Sequence, residues 1–198
     1  MSAKKIVVVS AGLSTPSSTR QLADRLAADT LGILRERGVE VEVQTFELRD
    51  LAHDITNNLL TGFATPALRS TLDSLATAHG VIAVTPVFNA SYSGLFKSFF
   101  DVIEEASLVD KPVLLGATGG TPRHSLAIEH ALRPLFAYLR AVPVPTGVYA
   151  STEDFAGDSL HTRVERAGAE LARAMRAHTP PAPIDPFALT TSFEDLLK

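Results

Sequence analysis

Short continuous apolar runs alternate along this chain with longer stretches whose apolar positions recur every three or four residues. That rhythm predicts buried strands separated by amphipathic helices. Ile6, Val7, Val8 and Val9 are consecutive β-branched residues, the pattern of a strand covered on both faces of a parallel sheet. Beyond Ser10 the chain turns small and hydroxylated. Leu22, Leu26, Thr30, Ile33 and Leu34 then recur at helical spacing, with Ala23 and Ala27 on the same stripe, until Gly38 stops the helix. Val39, Val41 and Val43 alternate, predicting a second strand through about Phe46. Residues 48–65 carry no clear period and read as an irregular segment that lines a pocket or a subunit contact, or as a plain surface loop. Thr65-Pro66 has the form of a cap with proline in the first turn, opening a helix through Leu68, Leu72 and Leu75 to about His79.

Val81, Ile82, Ala83 and Val84 make a third buried strand, and Ser93 or Gly94 starts a helix whose apolar face is Leu95, Phe96, Phe99, Phe100 and Ile103. Residues 112–117 form a fourth strand, followed by a helix over about 125–139. A fifth strand over 142–148 is interrupted by Pro143 and Pro145, which confine it to a sheet edge or an irregular start. The last helix spans about 160–177, with Val164, Ala167, Gly168, Leu171 and Met175 inward. The segment 178–198 is proline-rich and then briefly amphipathic, a tail or an arm laid on a neighbouring subunit; residues 1–177 read as one domain. Five strands alternating with helices predict an α/β fold of three layers, α/β/α, around a doubly wound parallel sheet. The flavodoxin-like order 2-1-3-4-5 fits best and places a ligand at the carboxyl ends of strands one, three and four. The loops of unusual composition, 10–19, 85–94 and 118–125, follow those three strands.

Composition narrows the chemistry. The 198 residues hold 22 acidic and 18 basic side chains, a net charge of −4 with no basic stripe, which argues against a nucleic-acid partner. With no cysteine there is no disulfide, thiolate nucleophile or Cys-ligated metal, and the six histidines lack metal-ligand spacing. No apolar stretch is long enough for a membrane span, and the short apolar run after MSAKK is too brief for a signal peptide, so a cytoplasmic location is expected.

The first loop offers five hydroxyls in the six positions 14–19, more than the single one a helix cap needs. Hydroxyls and free N–H groups at a helix N-terminus suit an anion, most economically a phosphate. No Gly-Lys-Ser/Thr follows and the G-x-G-x-x-G fingerprint is absent, so the phosphate expected is a mononucleotide's. The second loop brings Pro86, Phe88 and Asn89, and the third, Thr118-Gly119-Gly120-Thr121, has little side-chain bulk. Together these suit a planar heterocycle with polar edges, approached by backbone.

The three stretches AGLSTPSSTRQLA, TPVFNASYSGLFKSFFD and GATGGTPRHS resemble those of the flavodoxin-fold NAD(P)H-dependent FMN reductases. The likeness is to the branch paired with luciferase-like, flavin-dependent monooxygenases, and it covers about residues 5–177. The middle motif reads P-E-Y-N-x-S-x-P-G-x-L-K-N in that family, and Pro86, Asn89, Ser91, Gly94 and Lys97 stand in matching places. Phe88 replaces its tyrosine and Val87 its glutamate, while the G-S-x-R of the first loop becomes Ala11-Gly12-Leu13-Ser14, leaving Arg20 as the nearest cation in sequence. The resemblance implies an FMN site made of Ser10, Leu13, Ser14, Ser17, Ser18 and Thr19, then Thr85, Pro86, Val87, Phe88 and Asn89, and finally Thr118, Gly119 and Gly120. It implies NADPH or NADH as hydride donor, hydride transfer from nicotinamide C4 to flavin N5 with no catalytic side chain, and no metal. Arg123 and His124 adjoin the third loop, where they steer the nicotinamide nucleotide or simply face solvent. It also implies a homodimer or homotetramer that supplies reduced FMN to a monooxygenase. A quinone or azo reductase on the same fold is the alternative, and an electron carrier is disfavoured by the absence of Trp and the modest negative charge.

Overall fold

A computed structural model of the chain describes residues 3–178. The expected C-terminal tail or arm, residues 178–198, lies outside the described residues from 179 on. Strands β1 (Lys4–Ser10), β2 (Val41–Glu47), β3 (Gly80–Phe88) and β5 (Pro112–Gly119) are parallel, and the fifth position is shared by β6 (Val142–Pro143) and β7 (Val148–Ser151). The order β2-β1-β3-β5-β6 is the one expected, five parallel positions in all, with the two-residue β4 (Ser91–Tyr92) folded back antiparallel on β3.

The sheet is sandwiched because alternate residues of each central strand feed different cores. Val7, Val9, Val81, Ala83, Val113 and Leu115 pack on one face against α2 (Ala52–Thr61), α3 (Pro66–Ala76), α4 (Gly94–Asp101) and α5 (Arg133–Tyr138). Ile6, Val8, Ile82, Val84 and Leu114 pack on the other against α1 (Ser18–Glu36) and α6 (Asp158–Ala177). Phe96, Phe100 and Phe136 form an aromatic cluster on the first face, with centroids 4.8 and 4.9 Å apart along the chain of contacts. Such pairs add to the burial of the rings themselves.

Four elements depart from the sequence pattern. Residues 48–65 are ordered rather than irregular: a 3-10 turn (Leu48–Leu51) runs into α2, which ends at Gly62 with φ +77°. Ile55 is the one fully buried residue of α2, while Leu59 and Leu60 face outward, so no apolar period marks the helix. The helix over 125–139 is broken into a π-helix (Ile128–Leu132) and the short α5. Pro134 has no N–H for the ladder, and Arg133 N–H reaches back five residues to Ile128 O. The strand over 142–148 is split, and the intervening loop is held by side chains instead: Arg133 donates to Val144 O (3.0 Å), and Glu170 accepts from Thr146 N and Oγ1 (2.6 and 2.8 Å). Lastly, 85–88 and 118–119 continue their strands, so two of the three expected loops begin later than their composition suggests.

Candidate functional site

The carboxyl ends of β1, β3, β5 and β7 lie side by side, with Ser10 beside Val84, Pro86 beside Thr118 and Gly119 beside Ser151. Backbone continues the β1–β3 pairing into the first loop, where Ala11 N–H donates to Val84 O at 2.9 Å. Above this row the loop 11–17 turns into α1. Ser17 is its cap, its hydroxyl accepting from Arg20 N at 3.2 Å, and Gly12 is needed because a Cβ there would lie 2.0 Å from Ser17 Oγ. A cleft of about 1020 Å³ opens at this loop, lined by Ser14, Ser17 and Ser18 together with Arg20, Glu47 and Arg49.

The expected residues divide by what they touch. Leu13, Ser14 and Ser18 are exposed, and Ser10 is fully buried with its hydroxyl unpartnered among the described residues. Thr19 is buried and bonded to Thr118, Oγ1 to Oγ1 at 2.8 Å, so its hydroxyl fastens the first loop to the third rather than lining the cleft. Thr85 is equally committed: its hydroxyl donates to Pro86 O (2.9 Å) and accepts from Ser93 N (3.0 Å), seating the cap of α4. Pro86 and Val87 are half-buried, and Phe88 and Asn89 are exposed. Asn89 and Ala90 have φ of 48° and 69° between the paired Phe88 and Ser91, the geometry of a two-residue primed turn that asparagine tolerates. Asn89 is thereby placed at a hairpin tip.

The two glycines of the third loop serve different ends. A Cβ on Gly119 would lie 2.3 Å from the Tyr149 hydroxyl, which donates to Thr121 O at 2.6 Å, whereas Gly120 is exposed with open space on its Cβ side. Burial, with the nearby Asp154 charge, pushes the Tyr149 phenol above its ordinary pKa and keeps it a donor. Thr121 Oγ1 is buried without a partner among the described residues. At the end of β7, Asp154 accepts from Ser151 N and Oγ, both 2.7 Å, and from Arg163 Nη2 at 2.7 Å. Burial alone pushes this carboxyl up, but the Ser151 and Arg163 contacts outweigh it and hold its pKa below the ordinary value. Arg123 and His124 sit exposed on a 3-10 turn.

Arg49, Glu47 and Tyr149 belong to this region and carry no motif. Arg49 donates to Ser14 O at 2.8 Å and to Thr15 Oγ1, and Glu47 accepts from both Arg20 (2.9 Å) and Arg49 (3.0 Å). Only the register of β2 on β1, Ser10 beside Glu47, brings them there. Arg20, the cation nearest in sequence, is turned along its own helix to Asp24 at 2.8 Å, and that hydrogen bond holds its guanidinium above the ordinary pKa.

The donor set fits a mononucleotide: a helix N-terminus and hydroxyls for the anion, a buried Ser10 hydroxyl with no partner among the described residues at the end of β1, and the open backbone of Gly120 just past the end of β5. Among the described residues there is no cluster of metal-ligating side chains, and no helix is long and apolar enough to cross a membrane. The sequence profile of one family, described as NADPH-dependent FMN reductase, matches residues 4–156. An FMN reductase (NADPH) of Pseudomonas aeruginosa is 41% identical over 151 residues, 76% of this chain and 78% of that protein. The NADH-dependent FMN reductase SfnF of Pseudomonas fluorescens is 36% identical over 182 residues, 89% of this chain and 95% of that protein. The crystal structure of an oxidoreductase from Corynebacterium diphtheriae is similar at a TM-score of 0.87 and 43% identity, covering 89% of this chain and 99% of that one. By fold, by the loops gathered at its strand ends and by these likenesses, the chain belongs to the NADPH-dependent FMN reductase family of oxidoreductases.

Proposed function

We propose that the chain oxidises NADH or NADPH at an FMN site spanning the ends of β1, β3 and β5, and that it hands reduced flavin to a flavin-dependent monooxygenase. The observation that carries this reading is the convergence of the hydroxyl loop, the Ser10 hydroxyl and the Gly120 backbone at one end of the sheet, in a chain of this family. When bound, FMN supplies the redox chemistry, a ring that takes a hydride from nicotinamide. The chain binds and orients. Ser10, Ser14, Ser17 and Ser18 and the first N–H groups of α1 receive the phosphate, in the positive end of the helix dipole. Leu13 and the segments 85–89 and 118–120 border the ring, with Thr19, Thr85 and Thr118 holding those segments in register. No side chain needs to move a proton for hydride transfer itself. Assembly as a homodimer or homotetramer and action in the cytoplasm are part of the same proposal, as is the monooxygenase partner. Its support is the resemblance of the three loops to the monooxygenase-paired branch and the likeness to FMN reductases over most of the chain.

The test is direct. The purified chain is loaded with FMN, NADH or NADPH is added anaerobically, and the flavin's visible absorption band is followed. Bleaching without any added quinone is expected. If neither nucleotide bleaches the band, the reductase reading fails; if the bleached flavin reoxidises on quinone far faster than it leaves the protein, the quinone reductase reading replaces it.

A further inference from the structure

The first loop has no cation of its own between Ala11 and Ser18, and two arginines approach it from outside. Their partners differ. Both meet carboxylates, Arg20 taking Asp24 at 2.8 Å through Nε and Glu47 at 2.9 Å through Nη1. Arg49 takes the other oxygen of Glu47 at 3.0 Å and stands 3.6 Å from Asp50, while on the loop side its Nη1 meets only neutral oxygens, Ser14 O at 2.8 Å and Thr15 Oγ1. Its side chain is 26% exposed, in the wall of the cleft that the loop hydroxyls also line.

We propose that Arg49 is the residue by which this chain selects a phosphorylated flavin, a cation delivered from the end of the second strand to a loop that lacks one. The inference rests on the mononucleotide reading above. Glu47 is the positioning residue. It stands beside Ser10 in the β1–β2 register, and one carboxylate oxygen faces each arginine, which keeps Arg20 along the helix and Arg49 on the loop. A phosphate dianion among the hydroxyls meets a planar guanidinium that is itself hydrogen-bonded to the loop through Nη1, whereas the hydrogen bonds of the Arg20 guanidinium among the described residues go to Asp24 and Glu47 and reach no loop atom.

The experiment titrates FMN and riboflavin separately into the full chain and follows the quenching of flavin fluorescence. It compares the parent with Arg49→Ala, Arg49→Lys and Arg20→Ala at low and high salt. Loss of a charge-assisted hydrogen bond predicts FMN affinity about 10- to 100-fold weaker in Arg49→Ala. Riboflavin affinity stays where it was, which also shows that the variant is folded. Arg49→Lys recovers part of the FMN preference, Arg20→Ala keeps it, and added salt lowers it in the parent but not in Arg49→Ala. The proposal is overturned if Arg49→Ala weakens both flavins in the same proportion, since Arg49 then only shapes the loop. It is overturned equally if Arg20→Ala erases the preference. A parent chain that binds neither flavin removes the mononucleotide reading itself, a different result from a parent that binds both without preference.

Discussion

At the scale of single residues, the site separates groups that fasten from groups left free to bind. Thr19, Thr85 and Thr118 spend their hydroxyls on one another or on backbone, while the buried Ser10 hydroxyl has no partner among the described residues. Leaving a buried hydroxyl unpaired costs about 1–3 kcal/mol, so a ligand atom that satisfies it is favoured. Ser17 does both jobs, capping α1 and facing the cleft, and one substitution distinguishes them. Aspartate is as good a cap as serine and favours the helix dipole, so Ser17→Asp should leave the melting temperature unchanged or slightly raised. The same carboxylate repels a phosphate, and FMN binding measured by fluorescence titration should weaken at least about tenfold. An intact FMN affinity in that variant would remove the anion from this loop.

At the scale of elements, helix ends are closed by residues far away in sequence. Lys111, fully buried just before β5, donates to Leu75 O (2.6 Å) and Ala76 O (2.7 Å), the last two carbonyls of α3. Burial pushes this ammonium down to about 8 from an ordinary 10.5, with the nearby Lys5 adding to the effect. Below about pH 8 the folded chain holds the charge at full desolvation cost. Between about 8 and 10.5 the folded chain has released the proton and the unfolded chain has not, so this group makes stability rise with pH across that window. Urea melts of the parent and of Lys111→Met at pH about 7.5 and about 10 should therefore shift in the parent's favour at the higher pH, by at most about 3 kcal/mol. Equal pH responses would mean that the two carbonyls keep the lysine charged throughout.

At the scale of the whole molecule, the site exists because two separate cores support one row of strand ends. The face under α1 and α6 carries the hydroxyl loop 11–17, and the hairpin of β3 and β4 leads into α4 on the other face. The Thr19–Thr118 bond joins the first turn of α1, which follows β1, to the end of β5, and β1 and β5 are not neighbours in the sheet. A ligand that engages all three loops stabilises the folded state as a unit. FMN at about 100 times its dissociation constant should add about 2.7 kcal/mol, a rise of roughly 5–10 °C in melting temperature by calorimetry. A rise with riboflavin equal to that with FMN would place the binding energy in the ring alone. The sequence by itself determined the layered α/β plan, the strand order and the hydroxyl loop, because two-sided burial, capping and turn chemistry are written in neighbouring residues such as Ile6 to Val9 and Ser14 to Thr19. Tertiary structure alone decided that Arg49 and Glu47 stand over the first loop, that Tyr149 requires Gly119, that α2 forms with one buried residue and that the edge strand divides. Those outcomes depend on which distant segments lie at the same level of the sheet, and a residue's local sequence holds no record of what another strand will bring beside it.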